Sequence, residues 1–177
     1  MDLIVGDRVY IRRLTNRDVT ERYVGWLNDK EVNQYLESRF VQHNIDSTLQ
    51  YLASVTNDRN YAFGIFLKDR DIHIGNVKLG NINIRHGYAD IGFLIGEKEY
   101  WGGGFGSEAV GLATTFGFNY LSLNKIYGGV YSVNAGSVRV FQKNGYVLEG
   151  CERKKCLLDT GERCDVLIYG KLRDELL

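Results

Sequence analysis

Glycines crowd into one short segment of the chain, Tyr100-Trp101-Gly102-Gly103-Gly104-Phe105-Gly106-Ser107, just before a run with helical periodicity. Glycines let neighbouring backbone N–H groups converge on one point, and the start of a helix adds a partial positive charge. Ser107 adds a hydroxyl donor. The segment therefore predicts a cradle for a phosphate or pyrophosphate group. The alternative is a flexible loop whose glycines only ease packing.

Two common phosphate motifs fit this segment poorly. Gly104 to Ala109 matches G-x-G-x-x-A, but eight residues separate Ile95, the end of the preceding predicted strand, from Gly104. A dinucleotide site needs the turn directly after the strand and an acid about 20 residues further on. Here no acid occurs between Glu108 and Glu149. A P-loop is excluded because Ser-Glu follows Gly106 where that motif needs Lys-Ser or Lys-Thr.

The elements that must position the glycine segment follow from hydrophobic periodicity and turn residues. We predict strands over residues 8–14, 61–67, 72–84, 88–95, 125–131, 146–157 and 164–172. We predict helices from a capping box at Thr15 and Asp18 to about Leu27, after Asn28-Asp29 through Val32 and Tyr35, after a cap at Asp46 or Ser47, and over residues 104–121 and 135–143. The order predicts an α/β fold with an antiparallel meander at its centre and a closing hairpin.

Composition bounds the class of protein. The chain has 177 residues, and no linker or repeat interrupts it, so we expect a single domain over residues 1–177. Lys plus Arg and Asp plus Glu both number 22, which gives no electrostatic case for nucleic acid or an anionic membrane. No apolar run is long enough for a membrane span. Three cysteines without a signal-like N-terminus predict reduced thiols in the cytoplasm, and their spacing predicts no metal site.

A family resemblance emerges at the glycine segment. Trp101 to Gly106 resembles the R/Q-x-x-G-x-G/A acetyl-CoA loop of the GNAT superfamily of N-acetyltransferases. A second stretch agrees, since Asn134-Ala135-Gly136-Ser137, Phe141 and Gly145-Tyr146 resemble the family's N-x-x-A/S…G-F segment. The likeness is to the branch that includes ribosomal-protein N-terminal, spermidine and nucleotide-linked amino-sugar acetyltransferases.

The resemblance implies a mixed, mostly antiparallel twisted sheet with a splayed central strand pair, flanked by helices. Pantetheine would pair with the splayed strand, here Ile91 to Ile95, and the N–H of Leu94 or Ile95 would hold the thioester oxygen. The coenzyme A contacts carried over are Leu94, Ile95, Trp101, Gly102, Gly103, Gly104, Phe105, Gly106, Ser107, Asn134, Ser137 and Phe141. Asn134 also reads as a helix N-cap, and the two roles are compatible.

One position departs from the family pattern. Many relatives carry a tyrosine, the acid for the leaving thiolate, where this chain has Phe141, which has no proton to give. We assign Phe141 to the core and leave the acid open among Ser137, Tyr131 and water. For the proton of the attacking amine, the resemblance implies a carboxylate near the splayed strand. Asp90 is the first candidate, with a solvent-facing acid as the alternative, and Asp165 is the second.

The acceptor side is less determined by sequence. Candidate substrate contacts are Trp26, Tyr35, Glu37 and Asp165, with Asn28, Arg39 and Phe40 beside them, although Trp26 and Tyr35 also suit a core. Residues 25–32 resemble relatives that act on nucleotide-linked amino sugars, so we expect a small-molecule amine as partner. An acidic cleft would favour a polyamine, an open groove a protein N-terminus, and loss of the tyrosine a non-catalytic acyl-CoA-binding module. The sequence leaves room for a homodimer.

Overall fold

The computed structural model describes residues 3–57 and 59–175. One eight-stranded sheet runs through them in the order β1-β2-β3-β4-β5-β6-β8-β7. The strands are β1 (Leu3–Val5), β2 (Val9–Arg13), β3 (Tyr61–Leu67), β4 (His73–Asn83), β5 (Tyr88–Ile95), β6 (Lys125–Tyr131), β7 (Val147–Leu157) and β8 (Arg163–Leu172). The helices are α1 (Glu21–Asn28), α2 (Lys30–Asn33), α3 (Ile45–Ser54), α4 (Phe105–Asn119) and α5 (Ala135–Lys143).

Alternating side chains divide the sheet into two faces, because successive residues of a strand point to opposite sides. Helices α4 and α5 cover the first face, where Val9, Ile11, Phe63, Ile91 and Phe141 belong to the larger core cluster. Helices α1 and α3 cover part of the second face, over a smaller cluster to which Leu94 packs. The predicted class, a mixed and mostly antiparallel sheet flanked by helices, is confirmed.

The sheet opens where β5 meets β6. These strands are parallel and pair only from Tyr88–Asp90 to Lys125–Tyr127, although both continue beyond that point. Ile91 to Ile95 of β5 and Gly128 to Tyr131 of β6 therefore diverge, and we call this gap the fork. The predicted splayed central pair is thus present. Strand β5 stays paired with β4 up to Ile95, so the fork is framed rigidly on that side.

Several predicted boundaries were wrong at helix starts. The Thr15–Asp18 capping box closes a short 3₁₀ turn, and Thr20 caps α1 separately by accepting the Tyr23 N–H. Arg12 of β2 donates to the Asp18 carboxylate at 2.7 Å, which holds this turn beside the sheet. Asn44, rather than Asp46 or Ser47, caps α3. Tyr35 lies beyond α2, and the short strand β1 was not predicted.

None of the described helices is long and apolar enough to cross a membrane. Within residues 3–57 and 59–175, no three His, Cys, Asp or Glu side chains gather in a group that could hold a metal ion.

Candidate active site

The glycine segment meets α4 at a backbone conformation that only glycine adopts easily. Gly104, the residue before the helix, has φ of 86° and Gly102 has φ of 72°, both left-handed. Gly106 lies in the first turn of α4, where an added Cβ would stand 3.4 Å from the side chains of Phe93 and Ile95 on β5. The helix therefore begins beside the fork, and its free N–H groups face the loop.

A cavity of about 490 Å³ lies against the loop and the start of α4. Its lining residues are Asp7, Arg8, Gly103, Gly104, Ser107, Glu108, Gly111, Lys143 and Asn144. The Asn144 amide donates to Ser107 Oγ at 3.1 Å, which leaves the Ser107 hydroxyl proton free to donate. Backbone amides, a hydroxyl and two cations together suit an anionic ligand.

Sequence reasoning missed Arg8, which lies far from the loop in the chain. Its guanidinium donates to the Gly103 carbonyl at 2.8 Å and stacks over the Phe105 ring. Glu108 anchors the same region by accepting the N–H groups of Arg8 and Val9. Burial would raise the pKa of Glu108, but these bonds outweigh it and lower the pKa, so the carboxylate stays charged. No local signal in the sequence links β2 to this loop.

The direction of each β5 amide follows from its neighbours. Gly96 donates its N–H to the Ile74 carbonyl on β4 at 2.9 Å. Amides alternate along a strand, so the Leu94 N–H also points to β4, and the N–H groups of Phe93 and Ile95 point into the fork. Two carbonyls agree: that of Leu94 crowds Gly75 of β4, and that of Ile91 lies against Gly128 of β6. The geometry therefore favours Ile95 over Leu94, with Phe93 as a further donor.

The other residues predicted to contact coenzyme A have different surroundings in the structure. Trp101 donates its indole N–H to the Ile95 carbonyl at 2.8 Å and so ties the loop to the splayed strand. The Asn134 side chain accepts the Ser137 N–H, which confirms the N-cap interpretation and leaves the Asn134 amide group free for a ligand. Phe141 is 2% exposed among Phe93, Tyr146 and Tyr169, so it belongs to the core.

The residues predicted to contact the acceptor lie in different parts of the structure. Tyr35 stacks edge-on against Tyr131 at the open end of the fork, and the Tyr131 hydroxyl donates a hydrogen bond to Glu37. Trp26 is 6% exposed and donates to Glu97, so it is core. Asp165 accepts the Lys154 N–H at a bulge of β7, so one of its carboxylate oxygens is already bonded to the hairpin backbone. Tyr35 and Glu37 remain as the candidates at the fork.

Asp90 lies at the closed end of the fork, where β5 still pairs with Tyr127 of β6. One carboxylate oxygen accepts the Asn81 amide at 2.8 Å. The other oxygen is buried without a hydrogen-bond partner among the described residues. The aliphatic end of Lys78 and the Asp90 carboxylate both lie over Gly80. Asp90 is therefore near the fork but below its open part.

The fork has an open floor on the second face of the sheet. Gly92 of β5 has no atom within 4 Å of the position a side chain would take. Extending the β5–β6 register places Gly92 level with Gly129 and Leu94 level with Tyr131. We call the space bounded by Gly92, Gly129, Tyr131, Tyr35 and Glu37 the acceptor cleft.

Comparison with known proteins identifies relatives of the whole chain. The family described as "Acetyltransferase (GNAT) domain" matches residues 8–147. An uncharacterized N-acetyltransferase of Bacillus subtilis, YoaA, is 28% identical over 94% of both chains. Spermidine N(1)-acetyltransferase of Escherichia coli is 36% identical over 76 residues, which cover 43% of this chain and 40% of that protein.

Solved structures share the fold. The spermidine N-acetyltransferase of Vibrio cholerae, determined in complex with CoA and spermine, superposes with a TM-score of 0.85 at 23% identity and covers 96% of this chain and 98% of that one. The ribosomal L7/L12 alpha-N-protein acetyltransferase RimL, determined with coenzyme A, has a TM-score of 0.85 at 18% identity and covers 98% and 99%. At these identities the likeness shows the fold alone.

Proposed function

Since the chain belongs to the GNAT family and is an acetyl-CoA-dependent N-acetyltransferase, we propose that it acetylates a small-molecule primary amine by direct attack in a ternary complex. The fork carries this proposal, because it opens toward both faces of the sheet. On the first face the N-terminus of α4 offers an anion site, and on the second face the acceptor cleft is open. Donor and acceptor would thus meet from opposite sides.

On the donor side, the fork amides and the glycine loop are the proposed contacts. The Phe93 and Ile95 N–H groups have no partner strand on the fork side. A backbone N–H that is removed from water needs a hydrogen-bond acceptor. An extended amide-bearing chain such as pantetheine would supply it. An N–H of this pair would also stabilise the negative charge that develops on the thioester oxygen. Gly102 to Ser107 would hold the pyrophosphate, with Arg8 and Lys143 as nearby cations.

On the acceptor side, charge supports a cationic amine. Glu37 is exposed, and among the described residues no Lys or Arg lies within ion-pair distance of Glu37 or Asp90. A carboxylate without an ion-pair partner attracts an ammonium group. A nucleotide diphosphate would instead need free cations at the cleft. The two carboxylates are the candidates to take the amine's proton.

Among small-molecule amines, a polyamine is the preferred class of acceptor, ahead of the nucleotide-linked amino sugar. Residues 25–32 suggested the sugar by their resemblance to relatives. In the structure, several of them make local contacts that stabilise the fold. Trp26 is core, Asn28 exchanges two hydrogen bonds with the His43 backbone, and Asp29 caps α2. The stretch is therefore explained without a sugar ligand. A polyamine fits the exposed Glu37 better.

Acetyl-CoA turnover with a panel of amines tests the proposed function. The panel holds a linear diamine, a polyamine, an amino sugar, a nucleotide-linked amino sugar and a peptide with a free N-terminus, and thiol release is the signal. We expect the polyamine or diamine to give the highest kcat/KM. CoA at 100 times its Kd should also raise the unfolding free energy by about 2.7 kcal/mol, because it binds the folded chain. CoA stabilisation without turnover of any amine would favour the non-catalytic acyl-CoA module.

The cysteines support direct attack without an acyl-enzyme. The Cys151 thiol has a raised pKa, because of desolvation and the neighbouring Asp165 carboxylate. Desolvation and Cys156 likewise raise the pKa of Cys164. A thiol with a raised pKa is a poor nucleophile near neutral pH, since only the thiolate attacks.

A protein with Cys151, Cys156 and Cys164 all changed to Ser should keep turnover within about threefold, because no thiol takes part in the chemistry. Steady-state kinetics with the preferred amine measures this. Mass spectrometry of the wild-type protein incubated with acetyl-CoA alone is the control, and we expect no acetyl-cysteine. An acetylated cysteine whose loss in the triple variant abolishes turnover would contradict direct attack.

A further inference from the structure

Glu37 and Tyr131 form a polar pair at the open end of the fork. Tyr131 is 7% exposed, and its hydroxyl donates to Glu37 Oε1. The pKa of Tyr131 is raised, first because of burial and then because of this bond, so the hydroxyl keeps its proton. Glu37 is itself exposed, and its carboxylate has lone pairs beyond the one that accepts this bond.

Arg39 fixes this pair from the other side. Its side chain is 3% exposed, and its guanidinium donates to the Tyr131 hydroxyl oxygen at 3.1 Å, to the Leu36 carbonyl at 2.9 Å and to the Leu157 carbonyl at 2.5 Å. It also pairs with Asp159. Arg39 therefore joins the Glu37–Phe40 turn to the β7–β8 hairpin. Four of its five N–H donors have these partners, and it reaches Glu37 through the Tyr131 hydroxyl rather than by a direct bond.

Register decides between Glu37 and Asp90. In the paired part of β5 and β6, each β5 residue lies level with the β6 residue 37 positions later, as Asp90 does with Tyr127. Extending this register across the fork places Tyr131 opposite Leu94, which lies between the two residues whose amides point into the fork. Asp90 lies three to five residues below those amides, or about 10 to 16 Å along the strand. A proton acceptor must reach the reacting nitrogen within hydrogen-bond distance or through one water, so Glu37, which is bonded to Tyr131 at the open end, is better placed for direct contact than Asp90.

We propose that Glu37 is the carboxylate that binds the acceptor's ammonium group and takes its proton, and that Tyr131 and Arg39 are positioning residues for it. This inference rests on the proposed function and specifies its substrate class as a cationic amine. The other charged or titratable groups near Glu37 are Lys155, which pairs with Glu152, and Cys156, whose sulfur is 3.8 Å from Glu37 Oε1.

Acetyl transfer removes two protons from the bound ammonium group. Glu37 takes one proton from the bound ammonium, which frees the nitrogen lone pair. The nitrogen forms a bond to the thioester carbon, and the carbon–sulfur bond breaks. The second proton lost by nitrogen neutralises the leaving thiolate through water, and Glu37 releases its own proton to solvent. The net products are the amide, the free thiol of CoA and one proton.

Glu37→Gln tests this assignment, because glutamine can still accept the Tyr131 hydrogen bond but cannot take a proton. We expect kcat/KM for the preferred amine to fall about 100-fold or more near pH 7. The deficit should shrink as pH rises toward the amine's pKa, since the amine then arrives deprotonated. CoA affinity and thermal stability should stay unchanged. Glu31→Gln is the matched control, since that exposed residue pairs with Lys98 on the surface.

Asp90→Asn tests the competing assignment, in which Asp90 takes the proton. Wild-type kcat/KM for Glu37→Gln across the pH range would overturn the assignment, and a pH-dependent deficit in Asp90→Asn would then point to Asp90. A loss in Glu37→Gln that is equal at every pH would also overturn the proton-acceptor role. If the wild-type protein acetylates none of the amines, the proposed function fails and this inference fails with it. Turnover by the wild-type protein keeps the two outcomes distinct.

Discussion

Replacing Gly104 with valine should weaken CoA binding at least about 100-fold, because the loop would lose two or more charge-assisted hydrogen bonds, each contributing about 1.5–3 kcal/mol. Gly104 has φ of 86°, a left-handed conformation that a β-branched residue adopts only under strain. Its missing side chain also leaves room beside Arg8, whose guanidinium lies 3.2 Å from where a Cβ would stand. Calorimetry with CoA measures the change in Kd.

The matched control for Gly104→Val is Gly161→Val. Gly161 has φ of 85° in the β7–β8 turn, with no atom within 4 Å of a side chain at that position. It carries the same backbone strain away from the loop, so we expect a comparable drop in Tm and an unchanged Kd for CoA. Normal CoA binding by Gly104→Val would mean that the pyrophosphate lies elsewhere. Equal losses of affinity in both variants would attribute the effect to folding.

Elements whose signal is local could be predicted from the sequence. Strands β5 and β6 and helix α5 have the boundaries that periodicity and turn residues indicated. Each is specified by its own pattern, because burial on one face imposes a period of 2.0 or 3.6 residues. Helix starts were harder to predict from the sequence. Asn44, Asp46 and Ser47 are all good caps by type, and tertiary packing of α3 selects among them.

Site residues that depend on distant contacts were not predictable in the same way. Arg8 reaches the glycine loop only because β2 lies under α4. The choice between Leu94 and Ile95 needs the register with β4, which no local pattern fixes. Asp165 was a candidate carboxylate in the sequence. In the structure it accepts the backbone N–H of Lys154, which lies at a bulge of β7 with φ of 51°. Sequence specifies residue types, and the register decides which atoms face the fork.

Replacing Gly92 with leucine should reduce kcat/KM for the amine at least about 100-fold, because a displacement of the acceptor by about 1 Å already costs that much. A side chain there would occupy the open floor of the acceptor cleft between Asp90 and Leu94. We expect Kd for CoA to stay within about threefold, since the proposed donor contacts at β5 are backbone amides facing the fork. Folding should tolerate the change, because Gly92 lies in a strand with an ordinary φ and no neighbour within 4 Å.

The control for Gly92→Leu is Gly150→Leu, a strand glycine of β7 that also has no neighbour within 4 Å. Kinetics with the preferred amine and calorimetry with CoA separate the two substrates, since only the amine should be affected in Gly92→Leu and neither in Gly150→Leu. A Gly92→Leu protein that binds CoA poorly would place the donor on the second face of the sheet. A Gly92→Leu protein with wild-type kcat/KM would mean that the amine approaches without crossing β5, and the acceptor cleft would then have to be sought along the β7–β8 hairpin, beyond Tyr131.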